Sequence, residues 1–338
     1  MEPKKKIIRR AEIIDEAAVY LSGLTLKEYF LDVKAFRKYW ECGVKPLQLI
    51  FQDEAEHVHL PGVTCPGISY AHLAALGAYI NYPDDSQPNV EAMFDSVEEG
   101  VKWMRRGCDF AGNDLFKLYV RYNETLKDYF SDREIKLGGL GHQGPLTTAV
   151  LLRGQDFFAD LYEKPDETKE FLKLVTDSVV DFCKFRNRVN GLPEKGSAGL
   201  ADDFAALVGP DMFEEFVTPY WNRYFAGLTY GGKHGLHCEG LCRGHLKFLE
   251  KSDIGHFQPS VSPKLNCNML VEDLDITFDW LLAPFEIMRM KKDDIERWVG
   301  DVVHYNPSCV RTEMDRQTAR TNGIEKMLQF LNAFRQYD

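Results

Sequence analysis

Short apolar runs alternate with stretches of helical periodicity along all 338 residues, and no Gly/Ser/Pro linker or low-complexity tract interrupts them. The runs Pro46 to Phe51, Leu115 to Val120, Ile135 to Leu140, Gly196 to Ala201, Gly235 to Cys238, Gly255 to Gln258 and Val302 to Tyr305 read as strands. Helical spacing fills Val90 to Arg106, Gln155 to Leu161, Asp166 to Val189, Pro210 to Phe225, Glu272 to Leu282 and Thr321 to Phe334. Strands that alternate with helices of this length build βαβ units around a parallel sheet. Seven or eight such units in one undivided chain predict an α/β fold of the (β/α)₈ TIM-barrel type, a single domain over residues 1–338 with an N-terminal helical extension to about residue 45. A doubly wound dinucleotide-binding sheet would carry a strand-linked G-x-G-x-x-G, and none is present.

Composition narrows the partners. Asp and Glu total 52 against 41 Lys and Arg, a formal charge of −11. An acidic chain lacks the basic face that neutralises phosphates, so nucleic acid is not expected as a partner. The cluster Lys4-Lys5-Lys6 with Arg9-Arg10 reads as a solvated helix end. No run approaches eighteen apolar residues, so no membrane span is expected, and the N-terminus lacks the apolar core of a signal peptide. Eight scattered cysteines lack the spacing of a secreted disulfide framework, which fits a reducing cytoplasm.

The densest chemistry lies in His234-Gly235-Leu236-His237-Cys238-Glu239-Gly240-Leu241-Cys242. Imidazole, thiolate and carboxylate are the ligand types of a catalytic zinc that keeps one position open. In an extended segment His237 and Glu239 share a face and Cys238 points away. Barrel active sites gather at the C-terminal ends of strands, where Cys309, following the run Val302 to Tyr305, is expected to join them. Two other readings stay open: a local set of Cys238, Cys242 and His245 on one helix face, or a core histidine with packing thiols. Asp202 and Asp203 end a strand run, where they can exchange protons, bind a cation or cap the next helix. His57 and His59 form an H-x-H pair, either a metal arm or a solvated loop. Tyr79, Tyr82 and the turn Pro83 to Pro88 look like a loop able to close a pocket. Gly138-Gly139-Leu140-Gly141-His142-Gln143-Gly144-Pro145 misses the dinucleotide fingerprint; it suits a tight turn at a strand end or a phosphate cradle.

These residues carry a resemblance. Gly144-Pro145-Leu146-Thr147-Thr148-Ala149 followed by Gly154 resembles the G-P-x-x-x-A segment of the uroporphyrinogen decarboxylase superfamily. Pro165-Asp166-Glu167 before a long helix resembles it too, as does the run Asp202 to Phe213 continuing to Phe216 and Pro219. The likeness extends from about residue 90 to the C-terminus and implies a (β/α)₈ barrel. The arginine-rich R-Q-A-G-R signature of the decarboxylase itself is missing, which disfavours a decarboxylase-like lyase. The chain is more similar to the zinc- and corrinoid-dependent methyltransferases, whose H-x-C-G motif stands here as His237-Cys238-Glu239-Gly240. Ser308-Cys309 stands for their late cysteine, and Asn322 for a later asparagine.

The resemblance implies Zn²⁺ on His237, Glu239 and Cys309, and methyl transfer from a small-molecule methyl ether to the Co(I) corrinoid carried by a corrinoid-binding partner protein. Glu239 in place of a thiolate leaves a harder Lewis acid, suited to polarising an ether oxygen rather than activating a thiol. On that reading Asp202 or His142 supplies the proton, and Gln143, Asp203, Phe204, Tyr70 and Tyr305 contact a flat aromatic substrate, with Phe51 nearby. Transfer in the opposite direction, from methylcorrinoid to a thiol, and a non-catalytic metal-binding barrel are the alternatives. The resemblance also leaves room for a homodimer.

Overall fold

The computed structural model describes residues 7–337. Among the described residues nine strands are laid down in chain order: β1 (Ile8–Ile13), β2 (Val58–His59), β3 (Ile80–Asn81), β4 (Asn89–Val90), β5 (Gly199–Ala201), β6 (His234–His237), β7 (Ile254–Gln258), β8 (Thr277–Leu282) and β9 (Cys309–Met314). Seven of them form one sheet in the order β2-β1-β9-β8-β7-β6-β5, while β3 and β4 make a separate antiparallel ribbon. The pairs β1–β2, β1–β9, β8–β9 and β5–β6 all run parallel. Parallel strands separated in sequence by helices are the α/β, (β/α)₈ class that the alternation predicted.

The chain divides into two compact units. Of the described residues, those up to Gly62 and those from Gln258 onward make the first, so both ends of the chain build it. Its spine is the six-residue register from Ile8↔Cys309 to Ile13↔Met314. Arg311, buried on β9, meets Glu12 of β1 at 3.1 Å and Glu313 at 3.0 Å, so its charge is compensated. Tyr29, Phe36 and Tyr39 pack beneath the early helices, and the Tyr39 hydroxyl donates to Asp15 at 2.6 Å.

The second unit is the continuous segment Val63–Phe257. Its longest element is the helix Pro165–Val189, with proline in its first turn, Asp166 and Glu167 beside it, and Arg186 and Arg188 in the last turn. Each of those suits its end of the helix dipole. Phe171, Leu172, Val175, Val179 and Phe182 form its buried stripe, recurring at three- and four-residue steps.

Several expectations are corrected. Pro46 to Phe51 lies almost wholly in the helix Lys45–Ile50, where proline occupies the first turn, and Leu115 to Val120 lies inside the helix Asp114–Tyr129. Val302 and Val303 end the helix Lys292–Val303, whose buried Ile295, Val299 and Val302 follow helical steps. Tyr305 and Cys309 come after that helix, and Cys309 opens a strand rather than following one. Ile135 to Leu140 contributes only a single parallel bridge, Leu140 to Ile68. Glu272 to Leu282, read as helical, divides between the helix Cys267–Asp273 and strand β8. Within the stretch expected as a helical extension, Arg9 and Arg10 lie on β1, and Lys4 to Lys6 fall outside the described residues. No helix among the described residues is long and apolar enough to cross a membrane.

Candidate active site

Strands β5 and β6 pair so that Ala201 faces His237, and the Asp202 amide donates to the His237 carbonyl at 3.1 Å. That register carries Asp202, Asp203, His237 and Glu239 to one strand edge. The two aspartates then part, as neighbours along extended chain do.

Asp203 faces the more open side. Its Oδ1 accepts the Glu239 amide at 2.9 Å and lies 3.5 Å from His237 Nε2. The Asp203 and His237 side chains are 36% and 29% exposed, enough for a substrate to reach both. Tyr70 belongs to the same group: burial first, and the Asp203 charge second, hold its phenol above its ordinary value. A phenol so placed keeps its proton and can donate a hydrogen bond. Tyr70 also lines a cavity of about 290 Å³ together with Gln87 and Pro88, the end of the turn expected to close a pocket.

Asp202 turns inward and is fully buried. Oδ1 accepts the Thr147 amide at 2.7 Å, and Oδ2 accepts the Leu146 amide at 3.2 Å and the Trp221 indole N–H at 2.8 Å. The carboxylate thus anchors the first turn of the helix Pro145–Arg153 to Trp221 of the helix Thr218–Leu228. Burial raises it to about 6, against the pull of those N–H groups. Gly144 belongs to the same joint, because a Cβ there would stand 2.4 Å from the Asp202 Cβ. Phe204, half-buried, donates its amide to Thr147 Oγ1 at 3.1 Å, and the Gln143 carbonyl accepts the Thr148 hydroxyl at 3.2 Å.

His142 is held from two sides. Arg186 Nη1 can only donate, so Nδ1 of His142 accepts from it at 3.3 Å and the ring proton sits on Nε2. Nε2 then donates to the Tyr224 hydroxyl at 3.0 Å, which donates onward to the Gly199 carbonyl at 2.9 Å. Burial and then the Arg186 charge push His142 down to about 3. A neutral imidazole with both nitrogens engaged inside the protein is a poor proton donor to a ligand. His245 is similarly occupied: Nδ1 accepts the Cys242 amide at 3.0 Å and Nε2 donates to the Val208 carbonyl at 3.0 Å. Cys238 is buried and its thiol meets the Asp202 carbonyl at 3.1 Å. The local Cys238, Cys242 and His245 metal set is therefore not formed.

In the first unit, Cys309 is buried at the opening of β9, opposite Ile8 and Asp279, and burial pushes its thiol up to about 12. Barrel sites form where strands end, and Cys309 stands where β9 begins. Tyr305 sits in the turn before that strand, and Phe51 is core. The His57 carbonyl accepts the Ala11 amide, and His59 is exposed at the end of β2. Among the described residues no three His, Cys, Asp or Glu side chains are grouped to hold a metal ion. His237 and Glu239 belong to the second unit and Cys309 to the first.

Arg186 and Trp221 carry no functional signal in the sequence. Both lie within helical runs where nothing in the spacing distinguishes them from packing residues.

A family model described as uroporphyrinogen decarboxylase matches residues 63–267, a span that includes the whole second unit. Among solved structures, a methyltransferase from Methanosarcina mazei is similar with a TM-score of 0.69. It is 15% identical, and the match covers 99% of this chain and 95% of that one. At that identity the likeness is one of fold. No curated protein matches the sequence.

Proposed function

This chain belongs to the uroporphyrinogen decarboxylase family, and from that premise we propose that it is a methyltransferase that moves a methyl group from a methyl ether to the Co(I) corrinoid of a partner protein. The observation that carries the reading is the grouping of Tyr70, Asp203 and His237 around the ends of β5 and β6. The missing arginine signature argues against the decarboxylase activity itself, and the fold likeness to a methyltransferase is in keeping with methyl transfer.

The step is a displacement at carbon. The methyl carbon breaks its bond to the ether oxygen and forms one to cobalt, which supplies the electron pair. The electrons of the broken C–O bond stay on oxygen, and the alkoxide or phenolate product takes a proton. Tyr70 is suited to donate a hydrogen bond to that oxygen as charge develops, when such a bond lowers the barrier most. Asp203 orients His237 and, through the Glu239 amide, the turn after β6. The Tyr70 ring and the half-buried Phe204 suit a methoxylated aromatic substrate. No step is routed through zinc.

The test mixes the chain with Co(I) cobalamin and a panel of aromatic and aliphatic methyl ethers, and follows the absorbance of methylcobalamin. Methylcobalamin should accumulate with at least one ether. A rate no higher than that without protein across the panel would overturn the reading. Demethylation of supplied methylcobalamin by a thiol, with no ether cleavage, would reverse the assigned direction.

A further inference from the structure

We propose that the second unit holds an oxyanion site built on Arg186, for a small molecule that presents a carboxylate or a phosphate. A cleft of about 400 Å³ opens between the segments Gly67–Ser69 and Leu137–Gly141, and Arg186 is the one charged wall residue among the described residues. Among the described residues no acidic side chain lines it, although the chain carries 52 acidic residues against 41 basic ones.

Arg186 has no carboxylate partner among the described residues. Among the described residues it forms no ion pair, and its neighbour His142 is kept neutral by burial. One of its five N–H groups is directed to His142, which leaves donors in a planar fork for a ligand. A half-buried cation without a carboxylate is stabilised by any anion that reaches it, and an oxyanion matches the fork.

The walls are fixed before a ligand arrives. Asn190 Nδ2 donates to the Leu137 carbonyl and to the Arg186 carbonyl, each at 3.1 Å, tying one wall to the end of the helix that bears the arginine. The two backbone walls touch, since a Cβ on Gly67 would lie 3.2 Å from the Gly139 Cα. Ser69, exposed on the rim, adds a hydroxyl. The glycines answer to this close packing: a Cβ on Gly141 would meet the Ile68 carbonyl at 2.3 Å. They also let a ligand approach main chain without side chains in the way.

Inorganic phosphate and benzoate are titrated separately into the full chain at constant ionic strength, by calorimetry and by thermal shift. Saturable binding of at least one is expected, with a matching rise in melting temperature. Arg186→Gln should weaken it by about tenfold or more, the loss of one charge-assisted hydrogen bond. Phosphate alone would identify a phosphorylated ligand, benzoate alone an organic acid, and both together an unselective oxyanion site. Should Arg186→Gln misfold, the unaltered chain is treated with an arginine-directed dicarbonyl and its modified residues are mapped by mass spectrometry; the bound anion should protect Arg186. Absence of saturable binding, binding unchanged in Arg186→Gln, or protection that spares Arg186 would each overturn the proposal.

Discussion

Asp203 Oδ1 lies 3.5 Å from His237 Nε2 while accepting the backbone N–H of Glu239 at 2.9 Å. One carboxylate oxygen therefore sets both the imidazole and the turn that follows it. The pair sits where two strands end, and it is partly open to solvent. Its neighbour Asp202 has the opposite character: every hydrogen bond it makes is spent inside the protein.

Tyr70→Phe removes the hydroxyl and keeps the ring. If Tyr70 stabilises the departing oxygen, kcat for ether cleavage falls by about 100-fold, the scale of losing one oxyanion donor, while KM changes little. Steady-state kinetics against a methyl ether reads both constants. A change confined to KM would assign the hydroxyl to substrate binding instead.

His237→Ala and Cys309→Ala separate the two halves of the expected ligand set. His237→Ala should reduce activity strongly with a small effect on the urea midpoint, because its side chain is partly exposed. Cys309→Ala should lose about 1 kcal/mol of stability from a buried site and keep its activity. Abolished activity in folded Cys309→Ala would return the thiol to the site.

Asp202→Asn looks conservative and is not. The carboxylate accepts from three N–H donors, so one of them must face the new amide N–H in a buried place. A loss of about 2–4 kcal/mol is expected, measured by urea unfolding. A variant as stable as the parent would show that the joint between the helix Pro145–Arg153 and Trp221 does not rest on this carboxylate.

The pH dependence has a defined sign. Burial pushes His72 and His142 down to about 3, from an ordinary value near 6.5. Below pH 6.5 the unfolded chain binds their protons and the folded chain does not, so stability is lost as pH falls toward 3, by about 1.4 kcal/mol per pH unit for each group. Asp202, raised to about 6 from 3.8, acts in the other direction: its contribution is present below 3.8 and lost as pH rises through 6. His234, lowered by burial, adds to the two imidazoles, and Asp15, raised by burial, acts with Asp202; three imidazoles against two carboxylates make urea midpoints fall between pH 6.5 and pH 5. A midpoint that holds steady or rises over that interval would mean that the imidazoles are not kept neutral.

The H-x-E-G segment and the aspartate pair were legible because each ends a strand whose apolar residues announce it. Which aspartate faces outward was not, since that depends on the last step of register between β5 and β6. Strands β1 and β9 escaped notice because charges occupy them: Arg10, Glu12, Arg311 and Glu313 break the apolar alternation, and only the paired structure shows how they are satisfied. The run before Cys309 misled for the opposite reason, being apolar enough for a strand while its buried residues keep helical steps. Arg186 gave no signal at all, as an arginine near a helix C-terminus is ordinary until its surroundings are known.

The pairing of β1 with β9 also sets an order of events in synthesis. Val63–Phe257 leaves the ribosome as one uninterrupted stretch and can begin to fold while the rest is still being translated. The hydrogen bond between Arg311 and Glu12, by contrast, joins residues 299 apart in sequence. At about 5–20 residues per second, the first strand spends on the order of 15–60 s without its β9 neighbour. For that interval the nascent chain carries an open strand edge. Whatever shields that edge, a chaperone or the strand's own charges, is part of how this fold is reached.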